Sequence, residues 1–110
     1  MTESANCKLE IFVPESHLEA VAEALRSVDA GHVGRYEGCF SYAPVTGCWR
    51  PLPGAVPYLG REGELSREPE VKVEVLCRRD RAEETVAAVR RVHPYEEPVI
   101  HIIPLLETDL

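Results

Sequence analysis

Two strand–helix units repeat within the chain, and this repeat restricts the fold more than any other feature. Residues 7–13, CKLEIFV, and residues 70–77, EVKVEVLC, alternate apolar and polar side chains with the period of a half-buried strand. Apolar residues then recur at helical spacing in residues 14–31 and again in residues 80–92. A strand that leads directly into a helix, present twice, predicts two βαβ halves on one sheet.

The ends of both helices carry local signals. Ser16 is the predicted N-cap of the first helix, and Gly31 is placed at its C′ position. Asp80 is the predicted N-cap of the second helix. His93 precedes a proline, and such a residue disfavours the α conformation, so we expect the second helix to end there.

The middle of the chain differs in composition, since residues 34–69 hold most of the glycine and proline. We predict a hairpin with strands in residues 36–42 and 47–52, turning at Ala43-Pro44-Val45-Thr46. The segment that follows, PGAVPYLGREGEL, contains too many helix breakers for a helix and is a predicted long loop. Loops of this size in small domains are usually functional or interfacial.

A last β-branched strand in residues 98–105 completes the order β-α-β-β-β-α-β. This order predicts an α+β, ferredoxin-like (split βαβ) fold, with an antiparallel sheet and two helices on one face. We expect the first strands of the two halves to be central and to run parallel to each other. Both helix C-termini, and with them Cys7, His32 and His93, would then lie at one edge of the sheet, where the helix dipoles favour a cation.

The charge balance excludes several classes of partner. The net charge is −7, from 19 acidic and 12 basic residues, which argues against a nucleic-acid partner and against an anionic membrane surface. No apolar run is long enough to span a bilayer, and the first residues lack the features of a secretory signal. The four cysteines form no CxxC pair, so we expect reduced thiols in a cytoplasmic protein, with Cys7 and Cys77 as small buried residues.

Five segments together resemble a known family: KLEIFVPESHLEAVAEAL, GHVGRYEGC, TGCWRPLPGAVPYLG, GELSREPEVKVEV and HPYEEPVIHIIPL. They are similar to the YqfO-like domain, which is inserted in many bacterial members of the Nif-three-like dinuclear-metal family and also occurs freestanding. The resemblance covers residues 7–105, which we expect to be one domain, with a disordered N-terminus in residues 1–6 and a C-terminal tail in residues 106–110.

The resemblance implies a fold similar to CutA and PII signalling proteins, which assemble as homotrimers through their sheets. It therefore implies a homotrimer for this chain as well. It implies no established activity, because other domains build the two-metal site of that family.

HPYEEP, residues 93–98, is the densest cluster of reactive side chains. His93 with Glu96 or Glu97, completed by His32, would form a site for zinc, manganese or iron. The alternative, which we favour, is a rigid turn in which the two prolines fix the backbone. Its carboxylates would then cap backbone amides or pair with arginines.

The segment TGCWRPLPGAVPYLG, residues 46–60, is the second candidate site. Arg50 would hold a carboxylate or phosphate, and Trp49 or Tyr58 would stack on a base. The alternative, which we favour, buries Trp49 and Tyr58 at a subunit interface and pairs Arg50 with a carboxylate of HPYEEP. The chain contains neither of the common nucleotide-binding signatures and no nucleophile elbow.

Three functions are compatible with these residues. We favour a non-enzymatic, oligomeric PII/CutA-like module that binds or senses a small ligand or a divalent metal ion. The first alternative is a metal-dependent hydrolase acting on phosphate or nucleotide substrates, which requires His32, His93 and Glu96 to converge. The second is a protein–protein interaction module that uses a sheet edge or the long loop.

Overall fold

The computed structural model describes residues 1–108, which form four strands and two helices. The elements are β1 (Thr2–Val13), α1 (Leu18–Ser27), β2 (Phe40–Trp49), β3 (Ser66–Arg78), α2 (Ala82–Val92) and β4 (Ile100–Glu107). The strands form one sheet in the order β2-β3-β1-β4, and all neighbours are antiparallel. The predicted α+β fold with an antiparallel sheet and two helices is confirmed. No helix in this part of the chain is long and apolar enough to span a membrane.

The core lies between the two helices and one face of the sheet. Alternate residues of both central strands supply the sheet side of this core, as their sequence pattern predicts. They are Cys7, Leu9, Ile11 and Val13 from β1, with Val71, Val73, Val75 and Cys77 from β3. The helices contribute Leu18, Val21, Leu25 and Val89, and burial of these side chains is the main driving force for the fold.

The two central strands run antiparallel to each other, with Asn6 opposite Arg78 at one end and Val13 opposite Val71 at the other. The expectation that these two strands run parallel is wrong. In the split βαβ fold the two halves are inserted into the sheet in opposite directions, so the helices that follow them end at opposite ends of the sheet.

The two histidines that follow the helices are consequently far apart. His32 lines the same cavity as Asn6, whereas the His93 ring contacts the carbonyl of Phe12. Six residues of extended chain separate these two points of β1, a span of about 20 Å. The prediction that His32, His93 and Cys7 gather at one sheet edge is wrong for a single chain.

β2 is one continuous strand, so the predicted hairpin turning at residues 43–46 is wrong. These residues pair with residues 69–72 of β3 in unbroken register. Pro44 is tolerated because β2 is an edge strand and one side of its backbone needs no partner. The sheet therefore has one strand fewer than expected from the sequence.

Strands β2 and β3 continue together beyond the end of β1. The pairs from Val45–Glu70 to Trp49–Ser66 form a two-stranded ribbon, which residues 50–65 close as a long loop. The chain is 51 Å long in its greatest dimension, and its radius of gyration is 15.4 Å. A compact domain of this size has a radius of gyration of about 13 Å, so the ribbon extends well outside the core.

Neither predicted N-cap forms. A short 3-10 turn precedes each helix, and no side chain caps either helix start. The Ser16 hydroxyl instead contacts Nδ1 of His17 at 2.9 Å, and the Asp80 carboxylate pairs with Arg78. At the other end of α1, the C-cap is Val28, so Asp29 rather than Gly31 is the C′ residue, with φ of 58°. Gly31 is also left-handed, with φ of 77°, but lies two residues further on. The predicted end of α2 is confirmed, since His93 is extended with ψ of 132°.

Residues 2–6, which the sequence predicts to be disordered, form the start of β1. β1 begins at Thr2, which pairs with Glu107 of β4. Ser4 is only 3 % exposed, and its hydroxyl donates a hydrogen bond of 2.5 Å to the Glu107 carboxylate. Extension of both strands gives their backbone groups hydrogen-bonding partners, so most of the expected tail is ordered as well. The last part of that tail, residues 109–110, lies outside the described residues.

Candidate functional site

A cleft of about 580 Å³ lies between the ribbon, the long loop and the HPYEEP corner. This volume is within the range of small-molecule sites. All three residues that the sequence proposes for ligand binding line it, together with three residues of the corner. These lining residues are Trp49, Arg50, Tyr58, Tyr95, Glu96 and Glu97.

Aromatic rings form one wall of the cleft, with Tyr95 at its centre. The Tyr95 ring centroid lies 5.7 Å from Trp49, 6.1 Å from Tyr58 and 5.0 Å from His93. Tyr58 also meets His17 edge to face at 5.8 Å. These separations are typical of favourable ring pairs. The wall therefore joins the ribbon, the long loop, the start of α1 and the corner.

Hydrogen bonds fix the long loop against this wall. The Trp49 indole N–H donates to the Leu59 carbonyl at 3.2 Å. The Val56 backbone N–H donates to the Glu96 carboxylate at 3.0 Å, although these residues lie 40 positions apart in the chain. Glu96 thus caps a backbone amide, one of the roles expected for a carboxylate of a rigid turn.

Arg50 is exposed at the cleft, and its guanidinium forms no ion pair with any residue in 1–108. The expected ion pair between Arg50 and a carboxylate of HPYEEP is absent from this part of the chain. The cleft thus combines an apolar aromatic wall with a cation that residues 1–108 leave unpaired. An unpaired guanidinium is suited to bidentate recognition of a carboxylate or phosphate.

Glu70 lies beneath the wall and is 7 % exposed. Its carboxylate accepts a hydrogen bond of 2.8 Å from the Tyr95 hydroxyl. Burial, followed by the Glu70 carboxylate, raises the pKa of Tyr95, so this phenol remains a protonated donor. A side chain at Gly47 would collide with the same carboxylate, so glycine at this position leaves the space that Glu70 occupies.

Sequence reasoning missed the roles of Glu70 and Tyr95. Glu70 has the same strand parity as Lys72 and Glu74, which places it on the face of β3 opposite the core. That parity predicts solvent exposure, and only the tertiary contact with Tyr95 reveals its burial. No local pattern links residues separated by 25 positions, so no signal in the sequence identifies the pair.

Both ring nitrogens of His93 are engaged within the chain. Its Nδ1 accepts a hydrogen bond of 3.2 Å from the Tyr95 backbone N–H, so the proton is on Nε2. Nε2 donates to the Phe12 carbonyl at 2.7 Å. Burial lowers the pKa of His93, which favours this neutral form. No lone pair is left for a metal ion, and the geometry agrees with a rigid corner.

His32 is exposed, and both of its ring nitrogens also lie at hydrogen-bonding distance from polar atoms. Nδ1 lies 3.0 Å from the Asp29 carboxylate and Nε2 lies 2.9 Å from the Gly34 carbonyl. Both partners are acceptors, so the arrangement favours a doubly protonated ring. The Asp29 hydrogen bond, and then that of Gly34, raise the pKa of His32.

The four residues proposed as metal ligands are not brought together in one chain. Glu96 and Glu97 line the cleft, His93 lies behind Tyr95, and His32 is at the other end of the sheet. Within residues 1–108, no group of three or more His, Cys, Asp or Glu side chains is arranged to hold a metal ion.

Comparison with known proteins gives one family match. Residues 45–109 match the family described as CutA1 divalent ion tolerance protein. The chain is also 39 % identical over 98 residues to a GTP cyclohydrolase 1 type 2 homolog from Halalkalibacterium halodurans, covering 89 % of this chain and 26 % of that protein. The corresponding Bacillus subtilis protein is 36 % identical over 101 residues, covering 92 % and 27 %. The chain spans about a quarter of the length of these relatives.

Solved structures confirm the expected resemblance. A Bacillus cereus protein related to NIF3 superposes with a TM-score of 0.80 at 33 % identity, covering 94 % of this chain and 26 % of that one. The periplasmic divalent cation tolerance protein CutA of Archaeoglobus fulgidus gives a TM-score of 0.69 at 20 % identity, with coverages of 94 % and 86 %. A PII-like CutA from Nostoc gives 0.63 at 20 % identity, with coverages of 94 % and 81 %. The fold is therefore CutA/PII-like and ferredoxin-like.

Proposed function

The chain belongs to the CutA1 divalent ion tolerance protein family, and on that premise we propose that it is a non-enzymatic, homo-oligomeric module that binds a small ligand in the cleft. One observation carries this proposal. An aromatic wall built on Trp49, Tyr58 and Tyr95 lies in the same cleft as an Arg50 guanidinium that has no ion pair within residues 1–108.

The chemistry of the cleft defines the class of ligand. A planar ring can stack on Trp49 or Tyr58, and a carboxylate or phosphate on the same molecule can bind the Arg50 guanidinium. Glu97 is exposed in the cleft and offers an acceptor to a donor group of the ligand. The ligand we propose is a small planar ring compound that carries a negative charge.

A divalent cation is the second ligand class to test. The family description names divalent ion tolerance, and Glu97 places a carboxylate in the cleft. Carboxylate oxygens are suitable ligands for such ions. The geometry does not favour the hydrolase alternative, because that function needs His32 and His93 to converge and they lie at opposite ends of the sheet.

Exposed apolar side chains support an assembly of several copies. The edge strand β2 exposes 56 % of Tyr42, and the opposite edge strand β4 exposes 50 % of Ile102 and 63 % of Leu106. Apolar side chains left uncovered along both sheet edges are typical of protein–protein interfaces. We propose a homotrimer in the cytoplasm, with both edges covered by neighbouring copies.

Thermal unfolding with added ligands tests the binding function. The probes are adenosine monophosphate, 4-hydroxybenzoate and manganese chloride. A ligand at ten times its Kd adds about 1.4 kcal/mol to the free energy of unfolding and raises the unfolding midpoint. Arg50→Ala should abolish the response to both anionic probes. Arg35→Ala, which removes an exposed arginine outside the cleft, should retain it.

Light scattering in solution tests the assembly. We expect the mass of a trimer at micromolar protein concentration. A monomer whose unfolding midpoint none of the three probes changes would contradict the proposed function.

A further inference from the structure

Cys7 and Cys77 lie directly opposite each other on the antiparallel strands β1 and β3. Both side chains are on the helix-covered face of the sheet, with 1 % and 3 % exposure, and both are free thiols. Directly opposed residues of antiparallel strands have Cα atoms about 4.5–5.5 Å apart. That separation is within the range of about 4.4–6.8 Å that disulfides require.

We propose that Cys7 and Cys77 are a modification site, at which a hydroperoxide converts the two thiols of the folded protein into a reversible cross-strand disulfide. A second cavity, of about 340 Å³, lies at this end of the sheet, and in this proposal it is the route by which a small oxidant reaches the pair. Cys77 lines the cavity, whereas Cys7 does not. The other lining residues are Asn6, Asp29, His32, Leu76 and Arg78.

The positions of the two thiols assign their roles. The Cys77 sulfur attacks one oxygen of the peroxide, the O–O bond breaks, and water leaves as Cys77 becomes a sulfenic acid. The Cys7 sulfur then attacks the Cys77 sulfur, and the S–O bond breaks. The departing hydroxide takes the Cys7 proton and leaves as a second water. Two thiols and one hydrogen peroxide thus give one disulfide and two waters.

Cys7 is suited to the second step. Burial, and next the neighbouring Cys77, raise the pKa of Cys7, so this thiol stays protonated and reacts poorly with an oxidant in solution. Attack on a sulfenic acid held directly opposite needs no access from solvent.

The two remaining cysteines, Cys39 and Cys48, can be replaced so that they do not complicate the test. Cys39 precedes β2 and Cys48 lies near its far end, so about 30 Å of extended strand separates them and they cannot pair within one chain. Neither is part of the core. The variant Cys39→Ser/Cys48→Ser therefore leaves only the Cys7–Cys77 pair to oxidise.

This variant is treated with hydrogen peroxide while folded, then quenched in acid, and its free thiols are counted by alkylation and intact mass. We expect loss of both thiols, a mass decrease of about 2 Da, a cross-linked peptide containing Cys7 and Cys77, and full reversal by dithiothreitol. Because the disulfide closes a loop of about 70 residues, the unfolding midpoint should rise by on the order of 10 °C.

Two results would overturn the proposal. Both thiols could survive in the folded variant, or the cross-link could form only after unfolding in urea. The same treatment of a protein that also carries Cys7→Ser should instead oxidise Cys77 to acids that gain about 16 Da per oxygen, with no cross-link. Absence of Cys77 oxidation in that protein would contradict its role as the thiol that reacts first with the peroxide.

Discussion

The phenolic hydroxyl of Tyr95 donates a hydrogen bond of 2.8 Å to the carboxylate of Glu70. This contact joins the HPYEEP corner to β3 at the point where β1 ends and the ribbon begins. It also places the central ring of the aromatic wall, so the stability of the corner and the shape of the cleft depend on the same hydrogen bond.

Tyr95→Phe should lower the free energy of unfolding by about 1–3 kcal/mol, because it leaves the buried Glu70 carboxylate without this donor. Urea denaturation measures the change. Tyr36→Phe is the matched control, since Tyr36 is 74 % exposed and should change stability little. Equal stability of the two variants would show that Glu70 does not depend on the phenol.

Gly47→Ala should lower the free energy of unfolding by about 1–3 kcal/mol, because the added methyl group collides with the Glu70 carboxylate. In a Glu70→Ala background the same substitution should cost much less, since the colliding group is gone. A double-mutant cycle in urea measures this coupling. Additive costs would mean that the carboxylate does not determine the requirement for glycine.

Glu96→Ala should loosen the long loop, because it removes the acceptor of the Val56 N–H. Hydrogen exchange at the Val56 amide should become faster, and ligand binding in the cleft should weaken. Glu97→Ala is the control for exchange, since the Val56 amide is bonded to Glu96 rather than to Glu97. Unchanged exchange in Glu96→Ala would show that this hydrogen bond does not hold the loop in place.

His93 should make the protein less stable in mild acid. Its pKa in the folded protein is below the unfolded value of about 6.5, so the unfolded chain takes up the proton first as the pH falls. The stabilisation is complete above the unfolded pKa and is lost as the pH falls through the folded pKa. Urea titrations from pH 8 to pH 5 should show this loss, and His93→Gln should reduce it.

His32 should have the opposite effect and should stabilise the protein more in mild acid than at higher pH. Its folded pKa is raised, so its contribution is complete below the unfolded pKa and is lost as the pH rises through the folded pKa. The effect should be small because the ring is exposed. In His32→Asn, the stability difference from the wild type should therefore be greater at pH 5 than at pH 8.

The sequence predicts the core of this fold well, because alternation and helical periodicity report burial directly. Cys7 to Val13 and Val71 to Cys77 form the central strands as expected. The error at Pro44 has a physical cause. Proline and glycine usually mark turns, but an edge strand accepts proline, and local composition does not show which strands are edges.

The candidate site is predictable in part. Trp49, Arg50 and Tyr58 line the cleft as the ligand-binding hypothesis requires, because one short segment carries all three. The approach of Tyr95 to Glu70 depends on tertiary packing between distant segments. The separation of His32 and His93 depends on strand direction, which periodicity alone does not report.

Strand β3 extends from the cleft to the cysteine pair, with Glu70 beside the cleft and Cys77 in the pair. Seven residues of extended chain separate them, a distance of about 23 Å. A hydrogen-bonded strand resists stretching, so a displacement of β3 along its axis moves both of these residues together. If the disulfide changes the position of β3, the ligand affinity of the cleft and the reduction potential of the cysteine pair must be coupled. The coupling free energy is then the same in both directions.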